Sequence, residues 1–152
     1  MRIMSDWLRA FLVSPETLAA VTTAGICYYW PSAAEFVAQL MGADFKWSVG
    51  ILGVQLAMLV GAYQIGTDIL SPQGTRNIIL DWPSYPMLKN RIVISIIFCA
   101  LSLVASGAGL LLIRSAVSSL GTTLVIASLF VGSTAVTTVG LAKWKAREIL
   151  RE

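Results

Sequence analysis

RIVISIIFCALSLVASGAGLLLIR, residues 91–114, is the stretch on which the fold turns. No residue between Arg91 and Arg114 is charged, and an apolar run of this length suits one helix crossing a hydrocarbon core of about 30 Å. Inside it Ser95, Cys99, Ser102, Ser106 and Gly109 recur at intervals of 4, 3, 4 and 3. That is a heptad seam of small residues. Such seams let helix backbones approach closely in lipid, where burying apolar surface does not drive association.

On the C-terminal side, only a turn around Arg114 to Ser119 precedes a second apolar run at 117–142. Ser118, Gly121, Val125, Ser128, Gly132, Ala135 and Val139 mark a stripe along it at alternating spacings of 3 and 4. The short connection predicts a hairpin, with the two stripes facing each other or a neighbouring helix. The tail from Lys143 to Glu148 can continue this helix into the headgroup layer, with Trp144 as an anchor. On the N-terminal side lies a third run at 48–68, where Gly53, Ala57 and Gly61 fall at four-residue intervals. This small-xxx-small pattern asks for a partner helix. Gln55, Tyr63 and Gln64 in the same run are read as interhelical hydrogen-bonding groups.

A fourth run, at 15–31, is the shortest. Thr17 to Trp30 would rise only about 21 Å as a helix. Ser14-Pro15-Glu16 supplies a capping hydroxyl, a proline suited to the first turn and an acid at the positive helix end. Tyr28, Tyr29 and Trp30 resemble an interfacial aromatic belt, and Pro31 predicts a stop or a kink. Ser32 to Glu35 has capping-box spacing and Gly42 could close a second short helix on the far surface. A further amphipathic stretch, with Trp7, Leu8, Phe11 and Leu12 on one face, is expected to lie in the headgroup layer.

Composition agrees with this reading. The chain has 152 residues, of which 57% are hydrophobic and 12% charged, and a mean hydropathy of +0.77. Soluble domains hold roughly 45–50% apolar residues. Four spans leave loops too short to fold separately, so residues 1–152 are expected to form a single membrane-embedded domain. The expected fold class is an all-α integral membrane protein, a four-helix transmembrane antiparallel bundle with short interfacial helices.

Charge sets the expected threading. With four spans, nine of the eleven Lys and Arg residues fall on one side: Arg2, Arg9, Arg76, Lys89, Arg91, Lys143, Lys145, Arg147 and Arg151. Lys46 and Arg114 lie on the other. If the first segment instead returned to its own side, the division would be four to seven. Since cations in short loops resist translocation, the sharper split favours four spans in the cell inner membrane, with both termini cytoplasmic.

Chemistry is sparse. The chain has no histidine, and its two cysteines, Cys27 and Cys99, fall inside spans as apolar packing residues. No phosphate-binding glycine loop, nucleophile elbow or pair of acids at reaction depth is present, so neither catalytic, cofactor nor metal residues are assigned and no enzyme is expected. The net charge of +3 is spread over segments flanking spans, which fits anionic headgroups and not nucleic acid. Glu16 and Asp68 fall at helix ends and read as wetted acids or as partners of Arg9 or Arg76. A polar cavity, if there is one, is expected at Glu16, Gln64 and Asp68. The cytoplasmic loop 70–91 carries Trp82, Tyr85, Met87 and Leu88 among prolines, either lying in the headgroup layer or docking a partner.

Two classes of function follow. The first is a non-enzymatic multi-pass protein that serves as a helix-packing subunit of a homo-oligomeric or heteromeric membrane assembly. Its packing residues would be Gly53, Ala57, Gly61, Ser95, Cys99, Ser102, Ser106, Gly109, Gly121, Ser128 and Gly132, and its partners the lipid bilayer, itself and other membrane subunits. The alternative is a small pore or transporter, holin-like or for small solutes, or an anchor for a cytoplasmic protein.

Overall fold

The computed structural model describes residues 14–43, 45–70, 84–114 and 118–149, and every element among them is an α-helix. In chain order these are α1 (Pro15–Tyr29), α2 (Pro31–Ala43), α3 (Phe45–Leu70), α4 (Tyr85–Ile113) and α5 (Ser118–Ile149). Three of them are long and apolar enough to cross a membrane, over Lys46–Leu70, Tyr85–Ile113 and Ser118–Glu148. This marks the chain as a membrane protein. At 15 residues, α1 rises only about 22 Å and is not among the three.

Local chemistry sets the helix ends. Ser14 sits in extended conformation before α1 and accepts the Thr17 N–H at 3.1 Å, while Pro15 takes a position that needs no donor. At the other end the Trp30 N–H still reaches the Ile26 carbonyl at 2.8 Å, but Trp30 leaves helical geometry at φ −128°, ψ 64°. Pro31 then opens α2 without an N–H to continue the ladder. The break predicted at this proline is therefore present. The capping reading of Ser32 is corrected: α2 begins at Pro31 and runs through Ala43, so Ser32 and Gly42 lie inside it.

The expected loop 70–91 is also corrected, because α4 begins at Tyr85, seven residues before the predicted span. Pro86 is accommodated in the first turn, and Leu88 packs against a cluster of Ile69, Ile92 and Ala146. That apolar contact gives the extra turns something to bury against. Trp82 and the amphipathic stretch with Trp7 lie outside the described residues.

Three clusters order the helices. At one end Ile69 of α3, Ile92 of α4 and Ala146 of α5 come together. In the middle are Ala62, Ile94, Phe98, Cys99, Val131, Ala135 and Val139. At the opposite end Ile51, Leu110 and Val125 meet, with Met41 of α2 packed on them. Glu16 of α1 touches Arg91 and Ser95, so residues 16 to 41 travel from one end to the other. Along α4, Arg91 to Leu110 spans about 28 Å, close to the thickness of a hydrocarbon core.

The α4–α5 interface is the tightest part. A Cβ on Gly121 would lie 2.6 Å from the Gly109 carbonyl oxygen and 2.6 Å from the Ile113 nitrogen, and one on Gly109 would lie 2.7 Å from the Gly121 carbonyl oxygen. Both obstacles are backbone, so neither can yield. The seams read from sequence thus meet each other: Gly109 lies against Gly121, Ser106 bonds Ser128, and Cys99 lies against Gly132.

Candidate functional site: polar contacts inside an apolar bundle

Two polar groupings sit among these helices. The first is at the end where Arg91 enters. Glu16, in the first turn of α1, has 0% of its side chain exposed. Its Oε2 accepts from Arg91 Nη2 at 2.6 Å and its Oε1 accepts from Ser95 Oγ at 3.0 Å. Both carboxylate oxygens are thus occupied by α4. Arg91 keeps 26% of its side chain exposed, enough for the guanidinium to reach the boundary layer while one nitrogen holds the acid. Removing one partner of a buried pair typically costs about 3–5 kcal/mol, because the other charge is left without compensation.

At the same end Lys143 Nζ of α5 donates to Asp68 Oδ2 of α3 at 2.8 Å. With Asp68 63% exposed this pair is wet, and such pairs contribute less than about 1 kcal/mol. The expected partners Arg9 and Arg76 lie outside the described residues. The partners actually in place, Arg91 and Lys143, are each 75 positions away in sequence.

The second grouping is at mid-bundle. Gln55 of α3 is fully buried. Its Oε1 accepts from Ser102 Oγ of α4 at 2.9 Å, and its Nε2 donates to Ser128 Oγ of α5 at 3.4 Å. Ser106 joins Ser128, and Ser128 donates to the Val125 carbonyl at 2.7 Å. One amide therefore ties three helices. Gly132 makes room for it, since a Cβ there would stand 2.8 Å from Gln55 Oε1 and 3.2 Å from Ser102 Oγ. Every buried side-chain nitrogen and oxygen among the described residues has a hydrogen-bond partner. Exposed hydroxyls on α5 return to their own backbone, as in Ser133 to Leu129 and Thr137 to Ser133, and can face lipid without loss.

The three residues read as a cavity are not brought together. Glu16 is sealed against α4, whereas Gln64 and Asp68 are exposed on α3. An apolar groove of about 520 Å³ lies elsewhere, between α1, α2 and α5, lined by Leu18, Ile26, Trp30, Val37, Ile126 and Phe130 among others. Of the loop residues, Tyr85 and Leu88 are partly covered and Met87 is exposed in the first turns of α4. Among the described residues no cluster of three or more His, Cys, Asp or Glu could hold a metal ion.

The packing residues divide into two sets. Ser95, Cys99, Ser102, Ser106, Gly109, Gly121, Ser128 and Gly132 are all buried inside the bundle. Gly53 and Gly61 have nothing within 4 Å of where a Cβ would be, and Ala57 is exposed. At 100° per residue Gly50, Gly53, Ala57, Gly61 and Gln64 fall within an arc of about 80°, roughly 150° from the buried face of Ile51, Gln55, Ala62, Gly66 and Ile69. The α3 stripe points away from the rest of the molecule. Sequence spacing could not separate the two sets, because both show the same small-residue period.

Set against known protein families, curated proteins and solved structures, the chain matches none of them.

Proposed function

We propose that this chain is a non-enzymatic, multi-pass protein of the inner membrane, a single embedded domain that serves as a helix-packing subunit of a larger membrane assembly. The observation that carries the proposal is the outward stripe of α3. Gly53, Ala57 and Gly61 form a flat track opposite the packed face, in a solvent where only close backbone approach and hydrogen bonding reward association. Gln64 continues the track with an exposed amide, a group that favours a polar partner over lipid.

In this reading four segments cross as an antiparallel bundle. Supporting the fourth crossing is the path of residues 16 to 41 from the Arg91 end to the Leu110 end. Supporting the antiparallel order is the pairing of early α4 with late α5, Ile92 with Ala146, and of late α4 with early α5, Gly109 with Gly121. The end that gathers Arg91, Lys143 and the basic tail would face the cytoplasm.

The test is assembly size in mild detergent or native nanodiscs. Gly53→Leu with Gly61→Leu should convert the assembled species to the single chain while leaving the helical content unchanged. Gly50→Ala, one turn before Gly53 and inside the same arc, adds only a methyl group to open space and should leave the assembly unchanged. An assembled species that survives the double Leu substitution would refute the stripe as the contact.

A further inference from the structure

We infer that α1 is a hinged arm, latched to α4 by Glu16 and Arg91 and pivoting at Trp30–Pro31. Three features meet here. At the pivot, Trp30 leaves helical geometry and Pro31 cannot donate to the preceding turn, so the ladder of α1 ends there and bending costs no further backbone hydrogen bond. At the free end, both oxygens of the Glu16 carboxylate are taken by Arg91 and Ser95. Along the length between them α1 rests on α5 without a polar tie of its own: within α1 only Glu16 and Thr23 are buried, and the Thr23 hydroxyl is satisfied by its own helix at Ala19.

Clearance for movement is also built in. The groove of about 520 Å³ runs beside α1 from Pro15 to Trp30, bounded by Val37 of α2 and by Ile126 and Phe130 of α5. An arm that swings about Trp30 parts from α5 and moves over this space, while the contacts that join α3, α4 and α5 to one another stay in place. What the arm covers when latched is the upper end of the polar seam, where Ser95 is fully buried and donates to Glu16. Unlatched, that part of the seam opens sideways to the bilayer. The device is a lateral door whose bolt is an ion pair.

Leverage decides how it is tested. Leu18 stands 12 residues from Trp30, roughly 18 Å along the helix, so a swing of about 20° moves it by about 6 Å while Tyr29 stays nearly in place. In a chain with Cys27→Ala and Cys99→Ala, spin labels at Leu18 or Tyr29 are each paired with one at Val104, an exposed residue of α4. Electron-spin distance measurements in nanodiscs should give a single narrow separation for both pairs while the latch is intact. Arg91→Leu, or the milder Arg91→Gln, should lengthen and broaden the Leu18 separation and leave the Tyr29 separation unchanged. The exchanged pair Glu16→Arg with Arg91→Glu should restore the narrow Leu18 distance. Equal displacement at Leu18 and Tyr29, no displacement in either Arg91 variant, or failure of the exchanged pair to restore the distance would each overturn the inference.

Discussion

The α4–α5 hairpin and α1 solve the same problem in opposite ways. In the hairpin, glycines bring two backbones together and small hydroxyls bond across the contact, so that strength is spread along some 30 residues of each helix. In α1, which lies along α5, the polar attachment is concentrated in one carboxylate at one end, beside a groove that packing does not fill. The difference teaches that in lipid a helix is held by how closely its backbone can approach or by what polar group it brings, not by how apolar it is. Spread contacts make a rigid frame. A concentrated one makes an attachment that can be let go.

The contrast can be broken most severely at the frame. Gly121→Leu drives a side chain into the backbone of residues 109 and 113, and the expected loss is about 3 kcal/mol or more, seen as loss of folded protein in denaturant titrations within detergent micelles. Arg91→Leu should come next, at about 3 kcal/mol, but with a different distribution. Hydrogen exchange should quicken across 16–29 while the amides of 96–110 keep their protection. If both regions quicken together, the two attachments are not independent. Gln55→Leu removes one amide from a three-helix contact, and interhelical bonds of this kind average about 0.6 kcal/mol, so the expected loss is about 1 kcal/mol in the same titration. Lys143→Ala is the smallest, within about 0.5 kcal/mol, because its partner Asp68 is largely exposed.

Much of this frame was legible in the sequence. Uncharged runs bounded by Arg91 and Arg114, and the 3 and 4 spacings within them, are one-dimensional signals that a helix must translate into one face. The turn at Pro31 is equally local. What was not legible is pairing at a distance. Glu16 had two cations close by in sequence, and only the fold, which brings the start of α1 beside the start of α4, shows that Arg91, 75 positions on, receives it. The start of α4 was hidden for a related reason, since prolines among aromatics read as a loop until Leu88 is seen against Ile69 and Ala146. The two kinds of small-residue stripe also look alike until neighbours are in place: Gly109 is pressed against backbone, whereas Gly53 borders open space.

The length of α5 has a mechanical meaning of its own. Its 32 residues rise about 48 Å, some 18 Å more than the apolar slab they cross, and Ala146, in the last turn, still lies against Ile69 and Ile92. The last turns therefore form a stiff boom rather than a loose cable. A probe fused behind it would tumble with the embedded body, and its orientation would report the tilt of the whole molecule.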